Sequence, residues 1–267
     1  MKVEKKESIG MLFGCCLPAA QYDLLMREGY DSITLSAAEI AEMPEQALRE
    51  LCARVQGGTL ICRDTNAFCK PHIKLAGPDY SADKLRAYAQ PLLERAEQLS
   101  IHSMGVGSPL SRLLPDDFDR EKAREQFHEA LLLLSALAKP HGIRILLEAI
   151  STAEGNFITT TQEALTVLAD LPARQVGIVY DIYHAAMMRE DLCWIAEAAS
   201  HIEMVHISQD ISGRRCYLRA DYMDTYRAYA AALDAAGYAG TVSIEAMDGN
   251  PEDELAQSLA ILRRVWG

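Results

Sequence analysis

IRILLEAISTAEGNFITTTQEALTVLADLPARQVGIVYD, residues 143–181, reads as one strand–helix–strand unit. IRILLE (143–148) and VGIVYD (176–181) are short, nearly continuous apolar runs, the pattern of parallel strands buried on both faces. Between them, Thr160 with Glu163 makes a capping box that marks a helix start. Each run closes on a carboxylate, Glu148 in the first and Asp181 in the second.

The same alternation extends outward along the chain. IGMLFG (9–14), YDSITLS (30–36), TLICRD (59–64), SMGVG (103–107), EMVHIS (203–208) and TVSIEA (241–246) bring the strands to eight, the first predicted over Ile9 to Cys15. Arg120 to Ala138 carries apolar residues at helical spacing with charges between them. Asn250 followed by Pro251, Glu252 and Asp253 signals another helix start, and Gly142 and Gly237 stand where helices end before a strand. Eight alternations in 267 residues fit a single (β/α)8 TIM barrel of the α/β class. An open doubly wound sheet would need a glycine fingerprint, and Gly105 with Gly107 supplies only G-V-G. With no Pro/Gly/Ser-rich linker, the whole of 1–267 reads as one domain.

Composition narrows the partners. Lys and Arg total 26 against 38 Asp and Glu, a formal charge of −12, which argues against a nucleic-acid partner gripped through its phosphates. No apolar run reaches the roughly 18 to 20 residues that span a bilayer, so no membrane partner is expected. Lys2, Lys5 and Lys6 precede IGMLFGCCLPAA, but Glu4 and Glu7 break the positive region a secretory signal needs. Seven cysteines with no C-x-x-C pair suggest neither a disulfide framework nor a structural zinc site, consistent with a cytoplasmic location.

The chemistry gathers in four of the later strands. Glu148 closes IRILLE, Asp181 closes VGIVYD, His206 lies in MVHIS and Glu245 in TVSIE. In a barrel these strands are consecutive, and their C-terminal ends share the face where such enzymes keep their active sites. A lone charge in an apolar strand is most often structural. Four at equivalent positions are costly to bury unless they converge on a cation. Three carboxylates and one imidazole suit Mn2+ first, with Mg2+ or Co2+ as alternatives, better than a sulfur-rich zinc site.

GPDYSADKLRAY (77–88), GVGSPLSR (105–112), LLEAISTAEGNF (146–157), VYDIYH (179–184), MVHISQD (204–210) and SIEAM (243–247) together resemble the xylose-isomerase-like barrels. This is the sugar-phosphate isomerase/epimerase group that includes ketose 3-epimerases and inosose dehydratases. The resemblance implies that Glu148, Asp181, His206 and Glu245 are metal ligands, that Glu148 and Glu245 are the acid/base pair, and that His184 and Glu154 contact substrate hydroxyls. It also implies an arginine after the metal histidine that reaches substrate oxygens. Arg214 is taken for that role, with Arg215 as the alternative. Homodimers or homotetramers are expected on the same ground. Arg112 resembles a family position, but a surface arginine paired with Asp116 or Asp117 explains it as well. Asn66, Phe68 and His72 are candidates for the substrate mouth, and His102, His128, His141 and His201 read as structural.

The function expected is that of a metal-dependent sugar or sugar-phosphate isomerase/epimerase, moving a proton through an enediolate on a small sugar or cyclitol substrate. An inosose-type dehydratase using the same site is the alternative. An AP-endonuclease-like hydrolase is disfavoured, because Asp210 is followed by Ile211 and Ser212 where that group carries an Asp-x-His pair. A non-catalytic sugar-binding barrel is disfavoured by the intact ligand set.

Overall fold

The eight apolar runs become the strands of a closed parallel barrel in the computed structural model, which describes residues 11–172 and 174–267. The chain forms β1 (Leu12–Cys16), β2 (Ser32–Ser36), β3 (Ile61–Asn66), β4 (Ser103–Val106), β5 (Arg144–Glu148), β6 (Val176–Asp181) and β7 (Ile202–Ile207). A short antiparallel hairpin follows, β8 (Gln209–Ile211) with β9 (Arg214–Cys216), and then the last barrel strand, β10 (Thr241–Ile244). Hydrogen bonds run in the order β1-β10-β7-β6-β5-β4-β3-β2, and β1 pairs with both β10 and β2 to close the ring. The expected first strand is therefore found from Leu12 onward. Ile9 and Gly10, like Lys2, Lys5 and Lys6, lie outside the described residues.

The helices are α1 (Tyr22–Arg27), α2 (Ala37–Glu42), α3 (Glu45–Gly57), α4 (Ala82–Gln98), α5 (Arg120–Ala138), α6 (Thr161–Ala169), α7 (Ile182–Met187), α8 (Cys193–Ala198), α9 (Met223–Ala235) and α10 (Pro251–Trp266). Their ends follow the sequence signals. The Thr160 side chain accepts from the Glu163 N–H, and the Glu163 carboxylate accepts in return from the N–H of Thr159, one residue before the usual capping-box partner. Asn250 caps α10 ahead of Pro251. Gly142 and Gly237 stand at φ 67° and 75°, a left-handed conformation in which a side chain would be strained. Among the described residues, no helix is long and apolar enough to cross a membrane.

Two cores result. The larger lies between the strands and the helices. The smaller, Leu146, Val179 and Met204, fills the barrel interior from β5, β6 and β7. Side chains two apart on a strand share a face, so these three stand one layer beneath Glu148, Asp181 and His206. Across the barrel the lining is small and polar: Thr34 Oγ1 lies 2.8 Å from Ser243 Oγ, and a Cβ on Gly14 would collide with the Ser32 and Ser243 hydroxyls. The barrel is therefore plugged by packed side chains, and the convergent carboxylate–imidazole cluster stands at its C-terminal mouth.

Candidate active site

Strand geometry brings Glu148, Asp181, His206 and Glu245 together: one donor atom from each lies within 4.8 Å of the others. Glu148 and Asp181 are the last residues of β5 and β6, His206 is the penultimate residue of β7, and Glu245 follows the end of β10. His206 is fully buried, with Nδ1 3.2 Å from Glu148 Oε1 and 3.2 Å from Glu245 Oε2. The two glutamates thus reach one nitrogen from strands separated in the barrel by β6 and β7. Asp181 does double duty. Its Oδ1 caps α7 by accepting from the Tyr183 N–H at 2.8 Å, which turns Oδ2 into the cluster.

Arg215 balances part of this charge. Its Nη2 donates to Asp181 Oδ2 and, at 2.5 Å, to Glu245 Oε2, while Nε donates to Ser208 Oγ at 3.0 Å. Its guanidinium lies 4.7 Å from the centre of the Tyr183 ring. Three carboxylates and one imidazole thus converge on a buried volume that holds a single guanidinium. Oxygen-rich donors, one imidazole and convergent placement fit a hard divalent cation.

The arginine expectation needs correcting here. Arg214 stands outside the cluster, with its side chain 64% exposed and its Nε 3.2 Å from Asp248 Oδ1. Arg215 is the one turned inward. The reason is the β8–β9 hairpin, whose two-residue turn, Ser212 and Gly213, has positive φ at both positions. Side chains alternate along β9, so adjacent arginines must face opposite ways. The S-G dipeptide was the available signal for this alternation.

Arg112 is also not a surface residue. It is 1% exposed, donates from Nε to the Gly107 carbonyl at 3.0 Å and from Nη2 to the Glu148 carbonyl at 2.5 Å, and lies over Phe127. Burial pulls its guanidinium down to about 10, so it remains a cation at neutral pH, tethered to the backbone of Glu148. Beside it, Gly107 has a role that the G-V-G reading missed. A Cβ there would lie 2.2 Å from Glu148 Oε2, so only glycine leaves room for that carboxylate.

The two glutamates sit in different fields. Burial raises the Glu148 carboxyl, helped by the neighbouring Glu245 and Asp181, against the lowering contact with His206. Burial alone would raise Glu245 as well, but Arg215, His206 and Asn66 more than offset it and hold it well below the usual carboxylate range. His206 would be pushed down by burial, yet Glu245, Cys16 and Glu148 together raise it well above its ordinary value.

A cavity of about 450 Å³ opens over the cluster, lined by Glu148, Glu245, Arg215, His184, Glu154 and Asn66 among others. His184 accepts from the Ser151 N–H at Nδ1 (3.3 Å) and turns Nε2 toward Asp181 Oδ2 at 3.8 Å. Glu154 Oε1 lies 3.8 Å from Arg215 Nη1. Asn66 donates from Nδ2 to Glu245 Oε1, so it supports a carboxylate as well as lining the mouth. Phe68 and His72 do not join them. Phe68 is buried in the outer core against Tyr88, and His72 is exposed outside the cavity lining. His128 contacts the Asp170 carbonyl and His141 pairs with Glu97, both away from the cluster.

The fold and this carboxylate–imidazole mouth define a (β/α)8 barrel with a metal-competent C-terminal face. The chain belongs to the xylose isomerase-like TIM barrel family, whose pattern matches residues 22–265. A ketose 3-epimerase of Arthrobacter globiformis is 30% identical over 127 residues, 47% of this chain. That match spans 43% of the relative, less than half its length. Among solved structures, D-psicose 3-epimerase crystallised in the presence of D-fructose superposes with a TM-score of 0.79 at 17% identity, covering 96% of this chain and all of the other. The IolI protein with a bound zinc atom gives 0.78 at 18% identity, covering 96% and 98%. At these identities the solved structures share the fold.

Proposed function

We propose that the protein is a divalent-metal-dependent sugar epimerase or isomerase that removes a proton from the carbon next to a sugar carbonyl and returns one through an enediolate. The observation that carries this reading is the convergence of Glu148 and Glu245, from strands separated in the ring by β6 and β7, each 3.2 Å from His206 Nδ1 and both lining a cavity sized for a small sugar. The ketose 3-epimerase of Arthrobacter globiformis and the family match support the same class of chemistry.

In this reading Glu148, Asp181, His206 and Glu245 would hold the cation. When bound, it would polarise the carbonyl and the adjacent hydroxyl and stabilise the charge of the enediolate. The remaining steps belong to the chain. One of the two glutamates takes the proton from carbon and the other delivers a proton to the opposite face, so each ends in the protonation state its partner began in. Arg112 fixes the backbone carbonyl of Glu148, and Asn66 fixes the Glu245 carboxylate, which keeps both groups aimed. His184, Glu154 and Arg215 stand where substrate hydroxyls would be held.

The cavity lining also bears on substrate charge. Its cationic side chains are Lys70, already paired with Glu42, and Arg215, already bridging two carboxylates. Neither is a buried cation without a partner, which favours an uncharged sugar over a sugar phosphate. The test is NMR in deuterated water with Mn2+ and a panel of ketoses, ketose phosphates and inososes. Deuterium in recovered sugar together with a second epimer or isomer is the expected result. A new enone or diketone absorbance would reassign the protein as a dehydratase, and no exchange with any substrate would contradict the reading.

A further inference from the structure

Cys16 is a nucleophilic side chain beside the cluster that the proposed reaction does not use. It ends β1, and the neighbouring strands β10 and β7 deliver Glu245 and His206, so three adjacent strands present a thiol, a carboxylate and an imidazole. One donor atom of each lies within 4.8 Å of the others. Cys16 Sγ faces Nε2 of His206 at 3.8 Å, whereas Nδ1 of the same ring faces Glu148 and Glu245. The imidazole therefore has one nitrogen turned to an oxygen-rich set and the other turned to sulfur.

We propose that Cys16, His206 and Glu245 form a second cation site, selective for soft divalent ions such as Cd2+ or Zn2+. Thiolate with imidazole selects such ions, whereas carboxylate-dominated sets suit Mn2+ and Mg2+. The site has its own approach. Cys16 and Glu245 line a cavity of about 370 Å³ with Glu39, Ser36, Asn66 and Tyr217, on the β1 side of the mouth, without Glu148, His184 or Arg215 in its wall.

Capture of a soft ion exchanges the S–H bond for an S–metal bond and releases the proton to water, with no change of oxidation state. Binding itself does not rest on the epimerase reading. Its consequence does: Glu245 belongs to both ligand sets, so a soft ion held there withdraws one of the two glutamates the reaction needs.

The probe is Cd2+ alone, titrated into the full-length reduced protein and read by ultraviolet sulfur-to-cadmium charge-transfer absorbance. The wild type is expected to show one saturable band, retained in Asp181→Asn, which lies outside the set, and lost in Cys16→Ser. Cadmium NMR of the wild type needs no variant and should show a single sulfur ligand in a mixed sulfur, nitrogen and oxygen environment. Absence of the band, its persistence in Cys16→Ser, or an all-oxygen cadmium resonance would each overturn the proposal. Failure of the epimerase reading would show instead as absent deuterium exchange with Mn2+, leaving the cadmium band intact.

Discussion

The barrel buries carboxylates at both ends, and the two ends treat them differently. At the N-terminal end Asp64 on β3 is 4% exposed, accepts from Ser103 Oγ at 2.5 Å and Thr241 Oγ1 at 3.1 Å, and has Arg63 Nε at 3.8 Å. One negative charge meets two hydroxyls and a cation, and nothing is left over. At the C-terminal mouth three carboxylates meet one arginine, and two of them crowd a single imidazole nitrogen. A buried carboxylate is therefore no mark of function by itself. The mark is several carboxylates converging on one another and on shared partners, rather than one carboxylate matched to its own donors.

That contrast can be broken by substitution. The largest effect belongs to Glu148→Gln and Glu245→Gln, each expected to cut turnover by about 10²–10⁴-fold with the fold intact by circular dichroism. Full deuterium exchange in either variant would remove the acid/base pair from the account. Next is Gly107→Ala, whose Cβ would lie 2.2 Å from Glu148 Oε2. Displacing that carboxylate by about an ångström should cost on the order of 10²-fold in kcat, and an unchanged kcat would mean that Glu148 need not stand where it does.

The opposite end should respond in stability alone. Asp64→Asn turns an amide N–H toward a donor and should cost about 1–3 kcal/mol in urea unfolding with turnover unchanged. A loss of turnover without a loss of stability would erase the distinction between the two ends. The smallest effect separates the adjacent arginines. Arg214→Ala removes an exposed ion pair and should shift stability by less than about 0.5 kcal/mol with KM unmoved, whereas Arg215→Ala should raise KM.

The fold was legible because eight strands and their helices obey short-range rules: continuous apolar runs, capping residues such as Thr160 and Asn250, and glycines at left-handed helix ends. The β8–β9 hairpin escaped because three-residue strands carry almost no periodicity, even though Ser212-Gly213 is a turn signal. In the site, Glu148, Asp181, His206 and Glu245 stood out because charge inside an apolar strand is rare and costly. Arg112, Gly107 and Asn66 were harder to read. Their partners are a backbone carbonyl 36 residues away, a carboxylate oxygen and a side chain 179 residues away, contacts that exist only after the barrel closes. The choice between Arg214 and Arg215 depended on hairpin register, which decides facing within a single residue.

In the proposed reading Glu148, Asp181, His206 and Glu245 hold one divalent ion at the mouth. Calorimetric titration of chelator-treated protein with Mn2+ tests it most directly, comparing the wild type with Asp181→Asn. One saturable Mn2+ per wild-type chain is expected, with affinity weakened by about 100-fold or more in the variant, whose substitution removes a charged ligand. No saturable binding to the wild type, or equal affinity in the two proteins, would contradict it.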